Sequence, residues 1–350
     1  MNSSFGECPL PRFDSDCILL GHGSGGRLTS ELIGKLFVPT FGGATLAALE
    51  DSAMLDLGTG GSRLAFTTDS FVVRPIFFPG GDIGRLAVCG TVNDLAVTGA
   101  VPRVLSAAFI LEEGLPLADL RRISESMRRA CDEAGVELVT GDTKVVDRGK
   151  GDRVFITTSA IGVIPPGRSL SIANAKPGDR ILVSGTIGDH GVAILSVREG
   201  IEFETQLESD ATPLADLTES LLAACPSIRC MRDPTRGGVA GVLNDLATAS
   251  GVEVRVIESA IPVRREVRAA CEMLGLDPLY VANEGKLIAV VPAEDADRLL
   301  TAAHGHPKGQ NAAIIGTVSA GRPGFVTLQS RVGGERVVPV LAGEQLPRIC

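Results

Sequence analysis

Twice in its first half the chain runs a strand-like stretch into an acidic turn: Arg63-Leu-Ala-Phe-Thr-Thr-Asp69-Ser70, and Val136-Glu-Leu-Val-Thr-Gly141-Asp142-Thr-Lys144-Val. Period-two alternation predicts strands at both places, and each would deliver an acid at its C-terminal end. Two helices are predicted near them. Over Leu86 to Thr98, residues Leu86, Cys89, Gly90, Asn93, Ala96 and Val97 share one face; a helix opened by Pro116 has Leu117, Leu120, Ile123, Met127 and Ala134 as its stripe. Strands alternating with helices specify an α/β architecture, in which ligands sit at the carboxyl ends of strands. Asn93 lies on the apolar stripe beside Asp94. A polar group on a buried face needs a partner, which a ligand or metal would supply.

At 350 residues the chain is long for a single core, so two domains are expected. Strand Val154 to Val163 and the breaker Pro165-Pro166-Gly167 place the boundary. This divides the chain into an N-terminal ligand-binding domain (1–166), a C-terminal α/β domain (167–340) and a mobile tail (341–350). The second half restarts with a strand over Gly178 to Gly185 and a helix over Val192 to Arg198. Asp233-Pro-Thr-Arg236-Gly-Gly238 then opens a helix whose first N–H groups, with Arg236, suit a phosphate or carboxylate. A strand at Glu253 to Ile257, a Pro262-led helix, Asn283-Glu284-Gly285-Lys286 leading into a strand (Leu287 to Val291), a helix at Ala293 to Ala303 and two short strands follow. The acidic stretch 200–215 carries no readable signal.

A net charge of −9 argues against a nucleic-acid or anionic-membrane partner, both of which require a basic face. A phosphate ligand must then be small and metal-neutralised. Neither a leader nor a long apolar run is read, so a cytoplasmic protein is expected. The eight cysteines form no C-x-x-C pair, and all but the last are expected to be reduced thiols. Histidines 22, 190, 304 and 306 lack the spacing of a zinc site.

Gly21-His22-Gly-Ser-Gly-Gly26 has the form G-x-G-x-x-G, with an extended run at Asp16 to Leu20 before it and a helix at Leu28 to Phe37 after it. A dinucleotide site would also need a second strand ending in a ribose-binding acid, and the next 20 or so residues offer no such strand. A mobile loop closing on a ligand is expected instead, with His22 as a possible contact. Asp51, Asp69, Asp94 and Asp142 together supply hard oxygen ligands of the kind that hold Mg²⁺ beside substrate phosphates. No G-x-x-x-x-G-K-[ST] loop is present, so the nucleotide fold would be of another kind. The chain ends on a thiol, Pro347-Arg348-Ile349-Cys350; from Leu341 such an arm reaches about 30 Å when extended.

The Gly21–Gly26 loop, Thr68-Asp69-Ser70, Asn93-Asp94-Leu-Ala-Val-Thr-Gly99-Ala-Val-Pro102, Thr140-Gly-Asp142-Thr143-Lys144-Val, Asp233-Pro-Thr-Arg-Gly-Gly238, Ala282-Asn-Glu284-Gly-Lys286-Leu and the Pro-Arg-Ile-Cys350 end closely resemble the HypE family of carbamoyl dehydratases. The resemblance runs from about Leu20 to Cys350. The aspartate motifs are shared with the wider superfamily of aminoimidazole ribonucleotide synthetase, selenophosphate synthetase and thiamine-monophosphate kinase; the Pro-Arg-Ile-Cys end separates this family from those. A small-molecule kinase or synthetase of that superfamily is the alternative.

The resemblance implies an aminoimidazole ribonucleotide synthetase-like fold of two α/β domains, a homodimer joined through N-terminal β-strands, and ATP in the cleft between domains. It implies that the carbamoyltransferase HypF loads Cys350, and that the carbamoyl group is then dehydrated with ATP to a thiocyanate. Cyanide passes to iron on the HypC–HypD complex during NiFe hydrogenase maturation. On this reading Asp51, Asp69, Asp94 and Asp142 hold Mg²⁺ and phosphates, with Thr143 beside them and Asn93 orienting them. Lys144 stabilises charge on the amide oxygen and the transferring phosphoryl group. Glu284 takes the amide protons, Arg236 holds phosphate, and Arg348 docks the tail.

Overall fold

The computed structural model describes residues 17–56, 63–200, 207–341 and 349. It opens on an irregular helical stretch: α1 (Arg27–Leu32), a widened π-type turn at Ile33–Phe37, α2 (Val38–Phe41) and α3 (Ala44–Ala47), none of which buries a residue. There follow β1 (Ala53–Leu55), β2 (Arg63–Phe71), the hairpin β3 (Phe77–Phe78) and β4 (Gly81–Asp82), α4 (Ile83–Val97), β5 (Val101–Glu112), α5 (Leu117–Ala134), β6 (Glu137–Val146) and β7 (Val154–Ile164). Five of these strands form one sheet in the order β1-β2-β7-β5-β6. Only the β5–β6 pair is parallel, and α5 makes the crossover that a parallel pair requires.

Helix α4 is the axle of this half. Thirteen of its fifteen residues are buried, because β2, β7, α5 and elements of the second half all pack against it. Asp82 caps it, its Oδ1 accepting from the N–H groups of Gly84 (2.9 Å) and Arg85 (3.0 Å). Asp82→Ala is expected to cost about 1–2 kcal/mol, read as a lower urea midpoint at unchanged slope.

Strand alternation decides what faces α4. On β2, Ala65, Thr67 and Phe71 are buried on that side and Asp69 is half-buried among them, whereas Phe66, Thr68 and Ser70 lie on the other face. That second face is bare and displays Phe66, Ile110 and Ile161, and strand β6 runs along its edge almost fully exposed.

The second half contains β8 (Arg180–Val183), α6 (Asp189–Glu199), α7 (Ala215–Ala224), β9 (Cys230–Arg232), α8 (Gly238–Ser250), β10 (Glu253–Ile257), α9 (Arg265–Leu274), β11 (Ile288–Val291), α10 (Ala296–His304), β12 (Ala313–Ser319), β13 (Phe325–Gln329) and β14 (Glu335–Val337). Its sheet runs β14-β13-β10-β12-β8-β11-β9. The central strands are apolar on both faces and covered on both: Ile181, Val183, Ile288 and Val290 cluster with α8, while Leu182, Ala289 and Val291 cluster with α7 and α10. Continuous apolar runs of this kind are what a two-sided burial demands.

The predicted strands and helices appear close to their expected places, while β1, the β3–β4 hairpin, β5, α7 and β9 come from stretches in which no element is expected, and three predictions differ. Residues 17–19 form no strand and Leu20–Gly23 is a 3₁₀ turn, so the strand that a dinucleotide fingerprint needs is missing before the glycine loop. The helix expected at Leu28 to Phe37 is interrupted by the π-type turn. Three short strands, not two, precede the tail. Among the described residues no helix is long and apolar enough to cross a membrane, and the described cysteines are free thiols.

Candidate active site

Where the two halves meet, carboxylates converge from four segments. Asp51 precedes β1, Asp94 projects from α4, and Asp233 follows β9; one oxygen from each lies within 4.8 Å of the others. Asp69 of β2 completes the group, 4.0 Å from Arg236. The Thr67 hydroxyl sits 2.8 Å from Asp94 Oδ2 and 3.0 Å from the Asp51 carbonyl, with one proton for the two. Burial pushes Asp51 and Asp94 well above the usual carboxylate range; Arg232 partly offsets this for Asp51, and the neighbouring aspartates add to it for Asp94. Burial likewise raises Asp69, against Arg236, and lifts Asp233 to about 6.

Arg232 is the main counter-charge within this group. Its Nη1 lies 2.8 Å from Asp51 Oδ1 and 3.6 Å from Glu50 Oε2, yet it is not aligned for a hydrogen bond to either, and Asp51 Oδ2 is buried without a partner. A buried carboxylate oxygen left without a donor is costly. The residues fit a hard divalent cation on this ground: three converging carboxylates, an orphaned oxygen, and no sulfur or imidazole in the set.

A second group is built on the turn Asn283–Lys286. Asn283 is fully buried; its Oδ1 accepts from Gly188 N (2.7 Å), and its Nδ2 donates to Pro234 O (2.9 Å) and Val281 O (3.1 Å). It thereby ties this turn to the loop carrying Asp233 and Arg236. Glu284 follows, buried, with Oε1 unpartnered. Burial first, then Asp233, Asp210 and Asp69, raise its carboxyl well above the usual range. Asp210 holds the turn in place: Oδ1 accepts from Glu284 N (3.1 Å), and Oδ2 receives the Lys286 ammonium at 3.0 Å. Gly285 is required here because a Cβ would come within 1.8 Å of the Asp210 carbonyl.

The same strap of chain holds the last described residue. Ile349 is 5% exposed, in the cluster that includes Phe78, Ile194, Ala211 and Ala282. His190, the second residue of α6, has Nε2 2.8 Å from the Ile349 carbonyl and Nδ1 2.8 Å from Ser209 Oγ. Cys350 and Arg348, both expected to act, lie outside the described residues.

Five of the expected residues are thus brought together: Asp51, Asp69, Asp94, Arg236 and Glu284. Asn93 stands beside them in a different capacity. Its Nδ2 donates to Thr212 O (3.1 Å) and Glu284 O (3.2 Å), and its Oδ1 accepts from Leu214 N (2.7 Å). These backbone partners satisfy the amide, so it clasps α4 to the second half instead of turning to a ligand. Asp142, Thr143 and Lys144 are elsewhere, on exposed β6, where Lys144 pairs with Asp142 at 3.0 Å and lowers its carboxyl pKa. In the sheet register Asp142 is opposite Ala108, Ala108 opposite Thr157, and Thr157 opposite Ser70. Asp142 is therefore three strands, about 14 Å, from the strand that bears Asp69. His22 bonds within its own turn, to Leu19, but the glycine loop does reach the site: a Cβ on Gly25 (φ +74°) would meet Arg236 Cβ at 2.8 Å.

Sequence reasoning missed Asp233 as a member of the acidic group, Arg232 as the counter-charge of Asp51 and Asp210 as the brace of Glu284. Asp233 was open to the strand-end argument that picked out Asp69, since it follows β9 directly. Asp210 stands in an aperiodic acidic stretch and gives no local signal.

Models of AIR synthase related proteins match both halves, the N-terminal domain over residues 49–164 and the C-terminal domain over 176–329. Carbamoyl dehydratase HypE of Azotobacter vinelandii is 60% identical over 329 residues, 94% of this chain and 96% of that protein. A HypE structure in complex with ATP is 50% identical with a TM-score of 0.80, covering 95% of this chain and 100% of that one. HypE from a HypE–HypF complex is 48% identical with a TM-score of 0.84, covering 89% and 99%. The fold is that of AIR synthase related proteins. Within that group, the chain belongs to the HypE family.

Proposed function

We propose that this chain is an ATP-dependent carbamoyl dehydratase of hydrogenase maturation whose substrate is the carbamoyl group on its own Cys350. The observation that carries the reading is the seat of Ile349. The carbonyl held by His190 belongs to the peptide bond that links residue 349 to Cys350, and Ser209, which bonds His190, adjoins the aspartate that braces Glu284.

The chemistry follows from the weakness of an amide oxygen as a leaving group. Attack of that oxygen on the γ-phosphorus of ATP expels ADP; the amide then loses both N–H protons and phosphate departs, leaving Cys350-S-C≡N. Such a phosphoryl transfer is governed by positioning and charge neutralisation. Asp51, Asp69, Asp94 and Asp233 would hold Mg²⁺, which when bound neutralises phosphate charge. Arg236 and the N-terminal N–H groups of α8 suit the phosphates. Glu284, kept basic by burial, takes the amide protons. The glycine loop lying on Arg236 would cover the site and keep water from the phosphorylated intermediate.

Lys144 and Asp142 enter this scheme from a second copy. The bare face with Phe66, Ile110 and Ile161, and the unpaired edge β6, support a homodimer through the first sheet, in which β6 of one subunit serves the other's cleft. The carbamoyl donor would be HypF and the cyanide acceptor the HypC–HypD complex, both in the cytoplasm. Intact mass spectrometry of the C-terminal peptide tests the reading: the carbamoyl-transferring partner should add one carbamoyl group, and Mg-ATP should then remove one water. A carbamoyl adduct that survives Mg-ATP unchanged would overturn it.

A further inference from the structure

We infer that His190 and Ser209 form a recognition subsite for the penultimate residue of the tail, which takes an aliphatic side chain and its carbonyl together and sets when Cys350 is available for carbamoyl loading and when for dehydration. A carbonyl only accepts, so His190 must carry its proton on Nε2 to reach the Ile349 oxygen at 2.8 Å. Nδ1 is then an acceptor. Ser209 supplies the proton to Nδ1, 2.8 Å away, while its Oγ accepts from Ala211 N at 3.1 Å. The tail carbonyl and the strap hydroxyl together therefore fix the ring's tautomer. Phe78 fixes its tilt, edge to face at 5.7 Å and 88°. Burial holds His190 below its ordinary pKa, which keeps the imidazole neutral.

The arrangement is that of a binding subsite. His190 has no exposed surface and both ring nitrogens are engaged, Nε2 by the Ile349 carbonyl and Nδ1 by Ser209 Oγ. Ile349 is buried within one continuous apolar cluster that also contains Phe78, Ile194, Ala211 and Ala282, an environment that favours an aliphatic side chain over a charged one. One hydrogen bond and one buried side chain hold the arm firmly enough to dwell and weakly enough to leave.

A tail seated on His190 cannot at the same moment lie in the site of a carbamoyl-transferring protein. Occupancy of the seat therefore sets two rates in opposite directions, since a ligand shifts an equilibrium only toward the state it binds. His190 is a positioning residue: it touches the tail backbone and no reacting atom. The inference rests in its kinetic part on the proposed dehydration, and in its structural part on the seat alone.

The experiment follows the full-length protein as wild type, His190→Ala, His190→Gln and Ile349→Ser. Gln can place an amide N–H near the position of Nε2; Ile349→Ser alters only the tail and leaves both domains intact if His190→Ala fails to fold. Three readouts are taken by intact mass: release of residues 350 and 349 by a carboxypeptidase, carbamoyl loading by the partner, and loss of water with Mg-ATP. His190→Ala and Ile349→Ser are expected to release the terminal residues about five- to tenfold faster, the factor that loss of a buried hydrogen bond or side chain commands. They should load faster and dehydrate more slowly by a similar factor, with His190→Gln close to wild type. A general loss of structure would slow both reactions and would not be repaired by Gln. Unchanged release and unchanged rates in both altered proteins would overturn the subsite. Absence of dehydration in the wild type would instead defeat the functional reading, while the difference in carboxypeptidase release would still report on the seat.

Discussion

Asp94→Asn is expected to abolish Mg-ATP-dependent turnover, by on the order of 10²-fold or more, and at the same time to raise the melting temperature of the metal-free protein. The two effects have one cause. Asp94 is a half-buried carboxyl crowded by Asp69, Asp233 and Asp51, so ionising it in the absence of a cation works against the fold. Asparagine keeps the shape and still accepts from Thr67, but carries no charge. A gain of about 2–4 °C corresponds to each 1 kcal/mol recovered. Mg²⁺ should stabilise the wild type in proportion to the logarithm of its concentration above the dissociation constant, and the variant much less. Full Mg²⁺ stabilisation of Asp94→Asn would show that the cation lies elsewhere.

The sign of the accompanying pH dependence is determined by the raised carboxyls. A group whose pKa is higher folded than unfolded binds its proton more tightly in the native state, so it favours folding below its unfolded value and loses that contribution as pH rises through the folded one. For Asp233 the window runs from about 4, the unfolded value, to about 6; for Asp94 and Asp51 it extends higher. In chelator, stability of the wild type should therefore fall across this range, less so in Asp94→Asn, and Mg²⁺ should oppose the fall.

Lys144→Ala and Asp94→Asn are each expected to be inactive alone and to regain activity when unfolded and refolded together. The reason is the placement of Lys144 on exposed β6, three strands from the Asp69 strand of its own chain. If β6 serves the neighbouring subunit's cleft, a mixed dimer has one site lacking both groups and one site intact. Random pairing at equal amounts makes half the dimers mixed, so activity should return to about a quarter of wild type. Refolded mixtures that stay inactive, while each variant still dimerises, would place Lys144 in the site of its own chain or outside catalysis.

Much of the architecture was legible because it rests on local periodicity. The alternation at Arg63–Ser70, the stripe of Leu117, Ile123 and Met127, and the Gly-bounded helices all express short-range rules. The strand-end argument picked out Asp69, which lies in the acidic group, and Asp142, which does not; Asp51, Asp94 and Glu284 reach Asp69 only through the stacking of the two halves. Asn93 was correctly singled out as a buried polar residue in need of partners, but its partners are the carbonyls of Thr212 and Glu284 and the N–H of Leu214. The pattern marks such a residue without saying what answers it.

By itself the sequence determined two α/β halves and a set of acids without a P-loop, since composition, period and motif are properties of the chain. Only the tertiary structure decided which acids share a site. Asp233 joins Asp51 and Asp94 because β9 lies at the edge of the second sheet facing α4, and Asp142 does not, because β6 sits at the far edge of the first. It also decided what a stretch with no local signal does: Ser209 and Asp210 brace His190 and Glu284 across the join between the halves. Contacts of this kind span tens to more than a hundred residues, and their partners are fixed by how sheets and helices stack, which no local pattern encodes.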